Sequence, residues 1–170
     1  MRRRHPHVFS TQKYESENEQ KNAWEQIKAE ERESKSGVAS SSVMDGVDLG
    51  LPANVRAKKL QKRARTVGFD WQDHIPVFSK IEEELQEIRE AVASNDDRHI
   101  EEEIGDILFA CVNLARHLNV DPEAALRNTN RKFELRFRAM ERLASERGKV
   151  FSQLTLVEQE ALWQEVKALV

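Results

Sequence analysis

Two pairs of acids carry the chemical potential of this chain. Glu84 and Glu87 lie in the run KIEEELQEIREAV, and Glu103 and Asp106 lie in EEEIGDILFACVNLAR. In each pair the acids are three residues apart, which on an α-helix puts both on one face, about 60° apart around the axis. Two such helices packed side by side would bring four carboxylates into one small volume. Like charges that close repel unless a cation sits between them. Hard divalent ions such as Mg2+ take oxygen ligands of this kind.

The second pair makes the stronger case. Asp106 stands among Ile104, Ile107, Leu108 and Phe109, so it is expected to be embedded. An unpaired buried carboxylate is destabilising by on the order of several kcal/mol. Gly105 in mid-helix costs about 1 kcal/mol relative to Ala, which points to close approach of another backbone or a ligand. Asn113 extends the face of Asp106 by seven residues. A salt bridge would explain Asp106 alone, whereas a metal explains it together with Glu103, Glu84 and Glu87. Taken alone, the first pair reads as a solvated acidic face, with Lys80 four residues before Glu84 as an ion-pair partner. Other metal chemistries fit less well. None of the five histidines has a Glu three residues before it, as carboxylate-bridged di-iron bundles require. There is no His/Cys spacing for zinc and no Walker-type loop. All-oxygen ligation leaves Mg2+, with Mn2+ as the alternative.

A helical frame is needed to hold these acids, and the composition supplies one. Gly (6) and Pro (4) are scarce, while charged residues reach 34% and helix formers dominate. From Val77 to Ala93, Ile81, Leu85, Ile88 and Val92 form one stripe. Ser94–Asp97 make a turn, with Asp96 or Asp97 as N-cap. The next helix runs to about His117 and is apolar on most sides after Asp106, so it is expected to be central and the most buried. Few helices are available to cover it, and a partner chain would complete the bundle. Asp121-Pro122-Glu123 opens another helix, with Leu126, Phe133, Phe137, Met140 and Ala144 on one face and an end at Gly148. Asn130 on that face is expected to be a buried, partnered amide. Thr155-Leu156-Val157-Glu158 fits a capping box and opens a last helix through Trp163.

The N-terminal third reads differently. Residues 1–14 look irregular, 15–35 favour a helix with few apolar residues, and the Ser/Gly-rich stretch 36–50 is the best linker. Pro52 and Gly68 bracket a helix with Val55, Leu60, Ala64 and Val67 on a narrow stripe and Arg56, Lys58, Lys59, Lys62, Arg63 and Arg65 around it. Those cations suit either a solvated face or a nucleic-acid surface. The net charge of −3 gives no global reason to expect nucleic acid or an anionic membrane. No apolar run reaches the ~18 residues of a membrane span. The lone cysteine, Cys111, lies in an apolar run and reads as a buried thiol, which fits a cytoplasmic setting.

A phosphate-bearing substrate is the third element. Arg131, Lys132 and Arg136 cluster in NTNRKFELRFRAME, with Lys132 and Arg136 on one helical face. Guanidinium and ammonium groups suit polyphosphate oxygens. Trp163 and Lys167, again four apart, offer a stacking surface and a phosphate contact, although a Trp is more often core.

The succession K-x-x-E-E-x-x-E, then E-E-x-G-D-x-L-F-A-x-V-N-L-A-R-H-L, then N-x-K-F-x-x-R-F resembles the MazG family of nucleoside triphosphate pyrophosphohydrolases. The similarity covers about residues 50–170 and is to the C-terminal catalytic domain of the two-domain bacterial type. Arg3-Arg4-His5-Pro6-His7-Val8-Phe9 also resembles the place where the N-terminal domain of that type ends. The resemblance implies that residues 1–50 are an extension and linker, a partly disordered remnant of the end of an upstream domain. Residues 51–170 are then a catalytic helical domain. It further implies an all-α bundle completed by homodimerisation, Mg2+ dependence, and hydrolysis of nucleoside triphosphates to monophosphate and pyrophosphate. Carried over by motif, Glu84, Glu87, Glu103 and Asp106 would hold Mg2+. Lys80, Lys132, Arg136, Trp163 and Lys167 would face the nucleotide. Glu83 from the first motif and Glu102 from the second are the candidate catalytic carboxylates, either of which could orient the attacking water. His99 and Arg98 stand where some relatives carry lysine. The rival readings are a helical nucleic-acid or protein-binding module and a catalytically idle dimerisation fragment.

Overall fold

The computed structural model describes residues 42–169. The expectations for residues 1–41, including the helix at 15–35 and the first part of the linker, lie outside the described residues. Among the described residues every regular element is helical: α1 (Ala53–Thr66), α2 (Ile75–Ser94), α3 (Asp97–His117), α4 (Pro122–Glu146), a 3-10 turn (Phe151–Gln153) and α5 (Leu156–Leu169). The fold class is all-α.

The chain divides into two compact units, with the boundary inside α1. In the first, residues 42–50 form turns, closed by Asp45 N–H to Ser42 O (2.9 Å) and Gly50 N–H to Asp48 Oδ1 (2.9 Å). The second half of α1 follows, where the Arg63 guanidinium donates to Val43 O at 3.1 Å. Gly68, at φ +85°, turns the chain out of the helix, and Arg65 faces Asp70 at 3.7 Å.

The second unit holds the start of α1 and everything from Trp71 on. Local chemistry sets its helix ends. Asp73 Oδ1 accepts the Ile75 N–H (2.8 Å) ahead of Pro76 in the first turn of α2. Asn95 ends α2 in the left-handed region at φ +54°, where an Asn side chain is tolerated. Asp96 then caps α3 through His99 N–H (3.1 Å), and Asp121 caps α4 through Ala124 N–H (2.9 Å). Lys58 on α1 pairs with the same Asp121 at 2.9 Å. Thr155 and Glu158 form the expected reciprocal box: Glu158 Oε2 accepts Thr155 N–H (2.9 Å), and Thr155 Oγ1 accepts Glu158 N–H (3.3 Å). That helix continues past Trp163 to Leu169.

Packing is by neighbours. α2 folds back on α3, and α4 packs on α5 and the 3-10 turn. Met140, Ala144, Leu162 and Val166 make the buried core of the α4–α5 pair, flanked by Leu143, Phe151, Leu154 and Trp163. In α2 the buried row is Val77, Glu84 and Ala91, spaced by seven.

Several sequence expectations are corrected here. Among the described helices α3 holds the most buried residues, as expected, but it is not covered on most sides. It buries Ala110, Val112, Asn113 and Arg116, while Leu108 stays 59% exposed, and Ile104, Phe109 and Cys111 are exposed too. Asp106 is exposed rather than embedded, because the apolar residues beside it are themselves uncovered. A Cβ on Gly105 would meet nothing within 4 Å, so no backbone of the same chain approaches it. On α2, Leu85 and Val92 of the expected stripe are exposed. On α4, Met140 and Ala144 are buried, whereas Leu126, Phe133, Phe137 and Asn130 are exposed.

Candidate metal centre

Glu84 is the odd member of its row. Val77 and Ala91 are apolar and fully buried, and between them Glu84 is only 3% exposed. One oxygen, Oε1, accepts from Lys80 Nζ at 2.8 Å. The other, Oε2, is buried with no hydrogen-bond partner. A buried anionic oxygen left in that state is costly, and a cation beside it removes the cost. The same Lys80 ammonium reaches Glu83 at 2.8 Å. These two bonds, to Glu83 first and Glu84 second, hold the lysine well above its usual range, so it stays charged.

The neighbouring acids complete the arrangement. Glu87, one turn along α2, and Glu103 from α3 each place a carboxylate oxygen so that the set of three lies within 4.8 Å. Both are half-buried. Partial desolvation pushes the Glu87 carboxyl up, and the charge of Glu103 pushes it further, with Lys80 opposing. Three carboxylates, one orphaned oxygen and a carboxyl pushed up by its neighbours fit a hard divalent cation with oxygen ligands. Asp106, one turn beyond Glu103, stands outside the set of three and is exposed.

The other predicted residues fall in two places. Glu83 and Glu102 are more than half exposed, with Glu102 beside Arg98 at 3.3 Å. On the α4–α5 pair, Arg136 lies over the Trp163 ring, 5.8 Å from its centroid, and its Nε is buried without an acceptor. Phe133 packs against Trp163 (5.5 Å between centroids) and stacks on Phe137 (5.9 Å). Lys132 and Lys167 are exposed on the same two helices. The geometry gives contacts to two features that the sequence reading named without assigning them to the site. One is the aromatic pair Phe133 and Phe137, signalled by their four-residue spacing. The other is His99, whose Nε2 meets Glu103 Oε1 at 2.9 Å, a contact also signalled by a spacing of four. The basic face of α1 is partly engaged inside the chain, through Lys58, Arg63 and Arg65.

The MazG nucleotide pyrophosphohydrolase domain family matches residues 72–140, the stretch that supplies all three clustered carboxylates. That match spans less than half of the chain. Curated relatives extend the likeness beyond the MazG match. The chain is 47% identical over 171 residues to the nucleoside triphosphate pyrophosphohydrolase of Escherichia coli (strain K12), covering 98% of this chain and 63% of the relative. It is 44% identical over 165 residues to the nucleoside triphosphate pyrophosphohydrolase/pyrophosphatase MazG of Thermotoga maritima, covering 97% of this chain and 60% of the relative. An uncharacterized protein of Bacillus subtilis (strain 168) is 42% identical over 168 residues, covering 98% of this chain and 34% of the relative. The chain thus spans less than two thirds of the length of these relatives. Lys80, Glu83, Glu102, Asp106, Lys132 and Arg136 lie inside the MazG match, and Trp163 and Lys167 beyond it. Among the described residues no helix is long and apolar enough to cross a membrane.

Proposed function

We propose that this chain hydrolyses nucleoside triphosphates to nucleoside monophosphate and pyrophosphate in a reaction that requires Mg2+ or Mn2+. The observation that carries the reading is the unpartnered buried oxygen of Glu84 beside Glu87 and Glu103, inside the MazG match. The names of the Escherichia coli and Thermotoga maritima relatives support the same reaction class.

Glu84, Glu87 and Glu103 would hold the ion, with Asp106 as the fourth carboxylate. When bound, the ion offsets triphosphate charge and lowers the pKa of a water. The remaining roles fall to the chain's own side chains. Lys80 fixes Glu84 and Glu83 with one ammonium and would meet the phosphates as substrate binds. Glu83 or Glu102 takes the proton of the attacking water, whose oxygen forms the new bond to phosphorus as the α–β bridge breaks. Lys132 and Arg136 offset charge on the departing pyrophosphate. Trp163 offers a face to the base, and Lys167 a further cation.

A second copy of the chain belongs to this reading. Leu85 and Val92 on α2 and Ile104, Leu108 and Phe109 on α3 are exposed in one chain, and a homodimer would cover them. The deciding experiment is product analysis by anion-exchange chromatography after incubation with each nucleoside triphosphate, with and without Mg2+. Monophosphate plus pyrophosphate only with metal is the expected result. Diphosphate plus phosphate would move the cut to the β–γ bond and refute the assignment. Metal-induced stabilisation without turnover of any triphosphate would point instead to the idle dimerisation fragment.

A further inference from the structure

We infer that His99 is a positioning residue for this metal centre, its imidazole holding the Glu103 carboxylate at the angle where it meets Glu84 and Glu87. The inference rests on the reading of those three acids as metal ligands. His99 Nε2 lies 2.9 Å from Glu103 Oε1, one helical turn away on α3. Both neutral imidazole protonated at Nε2 and imidazolium donate here, so the hold does not depend on charge. Each carboxylate oxygen has two lone pairs, so Glu103 can accept from His99 and still bind a cation. The Glu103 side chain is only 13% exposed.

His99 is itself fixed by backbone. Its N–H is the donor that caps α3 on Asp96 (3.1 Å). The N–H groups of Asp96 and Asn95 in turn bind Ala91 O (3.3 Å) and Val92 O (3.2 Å), the last turn of α2. Ala91 sits seven residues beyond Glu84 on the same buried row. One continuous path of hydrogen bonds and helix therefore runs from the row that carries Glu84 to the ring that carries Glu103. Ligating carboxylates held by such outer partners typically lose 10–100-fold in metal affinity when the partner is removed. The adjacent pair of Arg98 and Glu102 is looser, at 3.3 Å and more exposed.

The test compares His99→Ala, His99→Phe and His99→Gln with the unaltered chain. Gln places an amide N–H near the position of Nε2, while Phe keeps the ring without the donor. Mg2+ binding is followed by calorimetry, Mn2+ binding by electron paramagnetic resonance, and thermal stability in EDTA by circular dichroism. The Ala and Phe variants are expected to bind either ion about 10–100-fold more weakly. The Gln variant should recover most of that affinity, and all three should melt in EDTA with the parent, since the cap uses the backbone of His99 and not its ring. Ala or Phe binding as tightly as the parent would overturn the inference alone. So would a Gln variant as weak as Ala, or a lower melting temperature in EDTA with unchanged ion affinity, which assigns a structural role. A parent chain that binds neither ion would overturn the metal reading and this inference with it.

Discussion

At the scale of single residues, the site is defined by the order of burial among its acids. Glu84 is enclosed and tied on one side to Lys80, so its free oxygen has one direction in which to find a partner. Glu87 is the group that registers the crowding. Its carboxyl is pushed above the usual range by partial desolvation and then by the charge of Glu103. A folded-state pKa raised above the unfolded value means that the folded protein binds this proton more tightly. The favourable contribution is then complete below the unfolded pKa and is lost as pH rises through the raised one. At about pH 7 and without metal, ionised Glu87 therefore opposes folding. Glu87→Gln is expected to melt at or above the parent temperature in EDTA and to flatten the pH dependence of stability above about pH 4. The same variant should lose most of the stabilisation that Mg2+ confers, with turnover down by more than about a hundredfold. Thermal melts in EDTA and in Mg2+, read across pH, check both signs. A variant less stable than the parent in EDTA would mean that Glu87 is held by something other than a crowded acidic cluster.

At the scale of elements, the helix ends carry most of the local specification. Glu158 shows it best. Hydrogen bonds from Lys149 first, and then from the Thr155 backbone and hydroxyl, hold its carboxyl at about 2 against a usual 4.5. Here the folded pKa lies below the unfolded one, so the contribution is present above the unfolded value and is lost as pH falls through the folded one. The gap in melting temperature between the parent and Glu158→Gln is expected to be constant above about pH 5 and to close as pH approaches about 2. Thr155→Ala, which removes the other half of the box, should cost about 1 kcal/mol in denaturant unfolding. These ends were legible in the sequence because caps are local: Asp96, Asp121, Thr155 with Glu158, Gly68 and Gly148 act within four residues of themselves. The all-helical class and the pairing of Glu84, Glu87 and Glu103 were legible for a similar reason, since a spacing of three fixes a face. What periodicity could not say is which apolar face its own chain covers. Ile81, Leu85, Ile88 and Val92 read as one stripe, yet the buried row runs one residue earlier, through Val77, Glu84 and Ala91. Asp106, Cys111 and Asn130 were misread for that reason: an apolar neighbourhood in sequence is buried only if another element lies over it. His99 was read only as standing where some relatives carry lysine, because an i,i+4 His–Glu contact looks like any surface pair until burial shows that Glu103 belongs to a cluster.

At the scale of the whole molecule, the uncovered apolar residues are ordered rather than scattered. On α2, Phe78, Leu85 and Val92 recur every seven residues and all are exposed. They run beside the buried row that contains Glu84. On α3, Ile104, Leu108 and Cys111 share a face and are exposed as well, with Phe109 next to them. Gly105 stands within this surface, and a Cβ there would meet open space. A glycine that nothing in its own chain requires leaves room for a helix of a second copy to come close. Two lines of apolar residues with a seven-residue recurrence are what helix-on-helix packing needs, and isolated exposed apolars would not show it. In a two-fold interface every substitution acts twice. Losing the burial of Leu108 removes about 2 kcal/mol per side, so Leu108→Glu should weaken the dimer roughly a thousandfold before any charge effect is counted. Leu108→Met, which conserves volume, should leave it nearly intact. Sedimentation velocity across a concentration series is the measurement. A dimeric parent and Met variant beside a monomeric Glu variant would establish the face, and turnover by the Glu variant would then tell whether one chain completes the metal centre. A parent that sediments as a monomer at every concentration would refute the dimer and leave these lines of apolar residues to a different partner.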